Sequence, residues 1–246
     1  MRKIDFIMGM PVIIEIVDSF DNEVFEEIFD YFREVDEKFS PYKATSEVTL
    51  INNSKSKIKK ISADMKLVLE LANKTKQETN GYFDIYRNNY FDPSGIVKGW
   101  AIYNASKILI KKGFKNFYID AGGDIQASGK NGEGKKWTIG IRNPFKTNEN
   151  VKIVYLSGKG IATSGTYEKG NHIYNPKAQI TNEIVSLTVI GKNVYEADRF
   201  STPAFAMGVE GINFIEKQKN LEGYMIDSNG IGTMTKGFEK YVKNHR

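Results

Sequence analysis

The chain has 246 residues, 40% of them hydrophobic, and 35 Lys and Arg against 30 Asp and Glu give it a formal charge of +5. That length and apolar content are enough for the core of one compact unit spanning 1–246, and the lysines are scattered, as a solvated face or an attraction for a small anionic ligand would have them. Cysteine is absent, which excludes disulfides, thiolate catalysis and cysteine-held zinc or iron-sulfur centres, and no nucleic-acid reader motif accompanies the charge.

The N-terminus passes from Met1 into a strand-like stretch at 11–16 with no apolar core of signal-peptide length and no lipobox cysteine, which predicts a cytoplasmic protein. No window reaches the roughly 20 apolar residues a membrane span needs, so no membrane anchor is expected. Asp21 or Asn22 can cap a first helix with Val24, Ile28, Phe32, Val35 and Phe39 on its core face, closed by Pro41. A turn at 42–47 leads into a short helix through Val48 and Ile51. Ser62 starts a second long helix with Met65, Val68, Leu69 and Ala72 inward, and Asn80-Gly81 ends it. A third helix is predicted from about 97 to 112, with Gly113 past its end. The period then shifts: strands are predicted at 137–142, 153–156 and 185–190, and 224–227 with 231–234 flank Ser228-Asn229-Gly230 as a hairpin. Without a strict βαβ alternation the class is α+β.

Chemistry concentrates in 92–124. A loop with Gly95, Lys98 and Gly99 opens the third helix, and an apolar strand leads to Asp120-Ala121-Gly122-Gly123-Asp124. Backbone N–H groups at a helix start and a lysine charge form a layout for a phosphate, although a helix with glycine at both ends reads equally well. Asp198 and Thr202 are four apart, on one face of a helix, and their oxygens suit magnesium; a surface pair or a local cap is the plain alternative. Pro203 is expected to interrupt that helix, which would make Thr202 an N-cap. Thr163-Ser164-Gly165-Thr166 can donate to a phosphate or merely form a turn. Only two histidines exist, and His245 is penultimate, so any histidine base is His172; a structural histidine is the alternative. Dinucleotide, Walker and serine-elbow motifs are absent.

In this order the segments resemble the ApbE family of FAD:protein FMN transferases. They are Met8-Gly9-Met10; Ser40-Pro41-Tyr42 with Ser46 and Asn52; Gly81-Tyr82-Phe83-Asp84; residues 92–99; residues 120–124; residues 139–144; Ala162-Thr163-Ser164-Gly165; the His172 loop; and Glu196-Ala197-Asp198 with Thr202. The resemblance implies a T-fold-like α+β unit, a mixed or antiparallel sheet flanked by helices. FAD contacts would fall at Met8, Tyr42, Tyr82, Phe83, Asp84, Asp92, Lys98 and Tyr174, with Thr163 and Ser164 alongside. Mg ligands would be Asp198, Thr202 and the Gly95 carbonyl. The implied reaction moves FMN from FAD, as substrate, to a Thr or Ser hydroxyl of an acceptor flavoprotein and releases AMP. His172 would be the base, and Lys98 would stabilise phosphate charge. Hydrolysis of FAD to FMN and AMP, or FAD binding without catalysis, stay open beside it. The chain departs from the family's His-Ile-Ile-Asp-Pro, having Asn175 for Asp, and its stretch between Asp84 and Asp92 is short.

Overall fold

Asp21 starts the first helix as expected: its carboxylate accepts from Glu23 N–H at 2.8 Å, and α1 runs Asn22–Phe39. The computed structural model describes residues 1–18, 21–53, 61–166, 177 and 183–242, the side chain of residue 147 excepted. Val24, Phe25, Ile28, Phe29, Phe32, Val35 and Phe39 are all buried along α1; each large apolar side chain so removed from water contributes roughly 1.5–3 kcal/mol. The short helix α2 is Glu47–Asn53, and α3 is Ala63–Glu78, with Ser62 Oγ accepting from Met65 N–H at 3.1 Å. Asn80 and Gly81, both left-handed, turn the chain out of α3. The next helix, α4 (Ser94–Lys111), begins three residues before the sequence predicts. Asp92 Oδ1 accepts from Ser94 N–H at 3.0 Å, which satisfies a donor of the first turn. Gly95 therefore lies inside the helix, as Lys98 does, and not in a loop ahead of it.

The strands are β1 (Arg2–Ile7), β2 (Met10–Ile16), β3 (Tyr86–Arg87), β4 (Tyr90–Phe91), β5 (Phe117–Ala121), β6 (Asp124–Ser128), β7 (Trp137–Asn143), β8 (Lys146–Leu156), β9 (Lys159–Gly165), β10 (Ile184–Gly191), β11 (Glu222–Asp227) and β12 (Gly232–Met234). Eight form one sheet in the order β1-β2-β5-β6-β9-β10-β11-β12, and every pairing in it is antiparallel. The class is α+β, with the sheet antiparallel throughout. The hairpin signal at 228–230 is met: β11 pairs with β12, and Asp227 Oδ1 accepts from Asn229 and Ile231 N–H. Residues 163–165 lie in β9, so they do not form the turn that was one reading of them.

One sheet face packs on α1, α3 and α4 through a core that includes Ile14, Phe32, Met65, Ala101 and Ile119. Further along, α5 (Val194–Ala206) and α6 (Glu210–Lys217) cover β9, β10 and β11 through Ala162, Leu187, Phe200 and Ile215. The β7–β8 hairpin closes the opposite face over Ile125, Trp137, Ile161 and Phe238. Pro203 does not interrupt α5. The helix continues to Ala206, with Met207 N–H donating to the Pro203 carbonyl at 3.1 Å. Ala197, Phe200 and Ala204 are buried on both sides of the proline, and that packing holds the helix where the missing N–H removes one bond. Thr202 is a helix-interior residue, not a cap. Among the described residues no helix is long and apolar enough to cross a membrane.

Candidate active site

The register places the β1–β2 turn, the β5–β6 turn and the end of β9 at one end of the sheet, because Ile7 pairs with Met10, Ala121 with Asp124, and β9 runs back along β6. At that end the first turns of α4 meet the middle of α5. Two glycines permit the approach. A Cβ on Gly99 would lie 2.6 Å from Asp198 Cβ, and one on Gly160 would collide with the Val194 backbone at the start of α5. Gln126 Oε1 then accepts from Val194 N–H at 2.9 Å, fastening α5 to β6.

Four strand and helix segments deliver polar groups into this junction. Asp198 is 5% exposed, and its Oδ2 accepts from Gly99 N–H at 2.8 Å. In a helix that N–H is the natural donor to the carbonyl four residues back, Gly95. The Asp198 carboxylate thus meets α4 at the turn that carries Gly95. Lys98 Nζ pairs with Asp124 Oδ2 at 2.8 Å, and Asp124 Oδ1 accepts from Thr163 N–H at 3.2 Å. Ser164 Oγ lies 3.0 Å from Ser201 Oγ and 3.5 Å from Thr202 Oγ1, so Asp198 and Thr202 open onto the strand that carries Thr163 and Ser164. Burial first, and the neighbouring Asp124 carboxylate second, push Asp198 from the ordinary carboxylate range up to about 8, against the pull of Lys98 and the Gly99 N–H. The two buried carboxylates together therefore hold a proton more tightly than a solvated carboxylate does.

This donor set fits a hard divalent cation. Its groups are the buried Asp198 carboxylate, the Gly95 carbonyl in the first turn of α4, the Thr202 hydroxyl, and Asp124 Oδ2, which is paired with Lys98. Oxygen ligands completed by water and phosphate suit magnesium. Asp124 was not among the residues singled out from the sequence for a role, although its motif was noted. Its position directly after a Gly-Gly turn was the available signal.

Of the other residues singled out from the sequence, Phe83 and Asp92 lie at the start of α4. Phe83 is buried, with its ring edge 3.3 Å from where a Gly95 Cβ would stand. Asp84 pairs with Lys76 at 2.7 Å and accepts from Tyr86 N–H at 3.0 Å, and Asp92 accepts from Ser94 N–H at the start of α4. Lys177 Nζ sits 4.2 Å above the Tyr82 ring. Met8 occupies the β1–β2 turn with φ of 57°, while Tyr42 is 94% exposed; neither is hydrogen-bonded to the Lys98–Asp198 cluster. His172, Tyr174 and Asn175 lie outside the described residues. On the far side of the sheet a cavity of about 220 Å³ is lined by Tyr118, Asp120, Thr138, Arg142 and Thr163. A larger hollow, about 580 Å³, lies against α1 among Glu23, Glu26, Glu27, Asp30 and Glu34, a lining that repels phosphates.

The sequence model of the ApbE family matches residues 8–89 and 86–225. Proteins named FAD:protein FMN transferase are similar in sequence: that of Haemophilus influenzae is 32% identical over 166 residues, 63% of this chain and 48% of the relative. That of Klebsiella pneumoniae is 31% identical over 157 residues, 59% of this chain and 45% of the relative. The match thus spans about half the length of these curated relatives. In fold, the ApbE protein of Thermotoga maritima superposes with a TM-score of 0.88 at 20% identity, covering 99% of each chain. The flavin transferase ApbE of Vibrio cholerae superposes with a TM-score of 0.86 at 22% identity over 98% of each.

Proposed function

This chain belongs to the ApbE family, and from that premise we propose that it is a magnesium-dependent transferase that moves FMN from FAD to a threonine or serine hydroxyl of an acceptor flavoprotein and releases AMP. The observation that carries the reading is the buried Asp124, Lys98 and Asp198 cluster, one cation among two carboxylates beside further oxygen donors. Such a cluster has a use for a second positive charge and a place to bring phosphates against it. The names of the relatives support the same substrate.

In this reading the acceptor oxygen forms a bond to the FMN-side phosphorus as the bond from that phosphorus to the AMP oxygen breaks, and the electron pair leaves with AMP. The acceptor proton passes to His172, because a neutral hydroxyl is a weak nucleophile without a base in reach. Lys98 places its ammonium on a phosphate oxygen. Asp198, Thr202 and the Gly95 carbonyl would hold the metal, which, when bound, neutralises charge on the pyrophosphate and on the leaving AMP. Met8, Tyr42, Tyr82, Phe83, Asp84, Asp92 and Tyr174 would position the flavin and its chain, with Thr163 and Ser164 donating to phosphate.

Intact-mass measurement of a candidate acceptor after incubation with the protein, FAD and Mg tests this, with EDTA as control and nucleotides quantified alongside. An FMN-sized gain with AMP released, lost in EDTA, is the expected outcome. Free FMN and AMP with water as the only acceptor, across a panel of acceptors, would replace transfer by hydrolysis; retained FAD without turnover would leave a binding protein.

A further inference from the structure

Arg199, next to Asp198 in the chain, is only 5% exposed. A guanidinium so placed is costly unless its donors are met. Its Nε and Nη2 both donate to Glu196 Oε2, at 3.1 and 2.7 Å, while Nη1 donates to Glu78 and reaches Thr75 Oγ1 at 3.4 Å. The plane rests on the Phe200 ring at 4.0 Å. Lys192 lies 3.6 Å from Glu196 and Lys74 3.9 Å from Glu78, so the charges alternate outward to solvent.

Glu196 shares α5 with Asp198, whereas Thr75 and Glu78 form the last turn of α3. That turn carries the segment 81–84. Thr79 Oγ1 accepts from Phe83 N–H at 3.2 Å, Gly81 N–H donates to the Lys76 carbonyl at 2.8 Å, and Lys76 Nζ holds Asp84 at 2.7 Å. Phe83 in turn packs on Gly95. Arg199 is therefore the ionic tie between the helix that bears Asp198 and the turn to which Tyr82, Phe83 and Asp84 are fastened. A well-packed apolar side chain would serve stability alone about as well as a buried ion pair does, but it would not fix the two elements in one register.

We propose that Arg199 is a positioning residue that sets the distance between the Asp198 metal position and the flavin-contacting segment 81–84, acting through Glu78. This rests on the flavin-transfer reading of the site. The test compares Arg199→Met, Glu78→Gln, their combination and Arg199→Lys with the wild-type protein. It reads the rise in Tm produced by Mg alone, FAD affinity by flavin fluorescence, and KM against kcat. Arg199→Met and Glu78→Gln should each weaken FAD binding and raise KM about tenfold and raise the half-saturating Mg concentration several-fold, with kcat at saturation within about threefold. The double variant should be no worse than Arg199→Met, and Arg199→Lys should recover part of the loss. A folded Arg199→Met with wild-type KM and wild-type Mg response overturns the proposal, as does a loss of Tm with neither changed. Should Arg199→Met fail to fold, Glu78→Gln and Arg199→Lys decide by the same criteria. Failure of the wild-type protein to bind FAD would instead remove the transferase reading, and the Mg response without FAD would still judge Arg199.

Discussion

Asp124 decides how the charges of the site balance. It is buried, 2.8 Å from Lys98 Nζ, and adjacent to a second buried carboxylate, Asp198. Replacing Lys98 with Met leaves that charge unpaired, which costs about 2–4 kcal/mol in urea unfolding, since breaking a buried pair is worse than never having it. Adding Asp124→Asn should recover most of the stability and none of the FAD turnover. If the double variant is as unstable as Lys98→Met, Asp124 is not the charge that Lys98 offsets. His172 belongs to the same scale. Its replacement by Ala should lower kcat by about 100-fold or more while FAD affinity, read by flavin fluorescence, stays within a few-fold, as loss of a general base demands. Equal losses in both would make it a binding group.

At the scale of elements, the approach of α4 to α5 at Gly99 holds the two halves of the cluster together. A methyl there would stand 2.6 Å from Asp198 Cβ and 2.8 Å from its Oδ2. Gly99→Ala should cost about 1–3 kcal/mol by overpacking, and also abolish the Mg-induced rise in Tm, because it moves the carboxylate rather than removing it. A variant that keeps the full Mg response would show that Asp198 does not depend on this contact. Much at this scale was legible: α1 and α3 announced themselves by Asp21 and Ser62 as caps and by rows of apolar residues at helical spacing, and the helix shared by Asp198 and Thr202 by their spacing of four. What escaped did so for physical reasons. The β1–β2 hairpin turns through Met8 and Gly9, both left-handed, and methionine is not a residue that advertises such a turn. Thr163 and Ser164 read as turn residues because β9 carries a hydroxyl on each face here, Ser164 toward α5 and Thr163 toward Thr188. The start of α4 escaped by three residues because Asp92, one residue ahead of the Pro93 cap, supplies the acceptor for Ser94 N–H. Pro203 looked like a break because propensity speaks for an isolated helix, and α5 is packed on the sheet and on α6. Asp124 stayed without a role because its partners, Lys98 and Thr163, are distant in the chain.

For the whole molecule, the same site makes stability depend on pH in an unusual sense. Asp198 has its folded-state pKa raised from 3.8 to about 8, by burial first and by Asp124 second, and burial raises Asp120 as well. A group whose pKa is higher folded than unfolded favours the folded state fully below the unfolded value, and that contribution is lost as pH climbs to the folded value. The metal-free protein should therefore lose stability steadily between about pH 4 and pH 8. Below pH 4 the opposite slope sets in, because carboxylates such as Asp5, held low by its hydrogen bond from Arg33, must be protonated. Saturating Mg should flatten the fall above pH 4, since a cation beside the buried carboxylates favours their ionised form, and its stabilising effect should grow with pH. Thermal unfolding across this range, with Mg or with EDTA, reads both slopes, and Asp198→Asn isolates the residue from histidine titration. That variant should fall less steeply in EDTA between pH 5 and 8, with groups such as Asp120 supplying the slope that is left, and be indifferent to Mg. A wild-type slope retained in Asp198→Asn would mean that the proton resides elsewhere, and Asp198 would then not be the carboxylate whose charge Mg offsets.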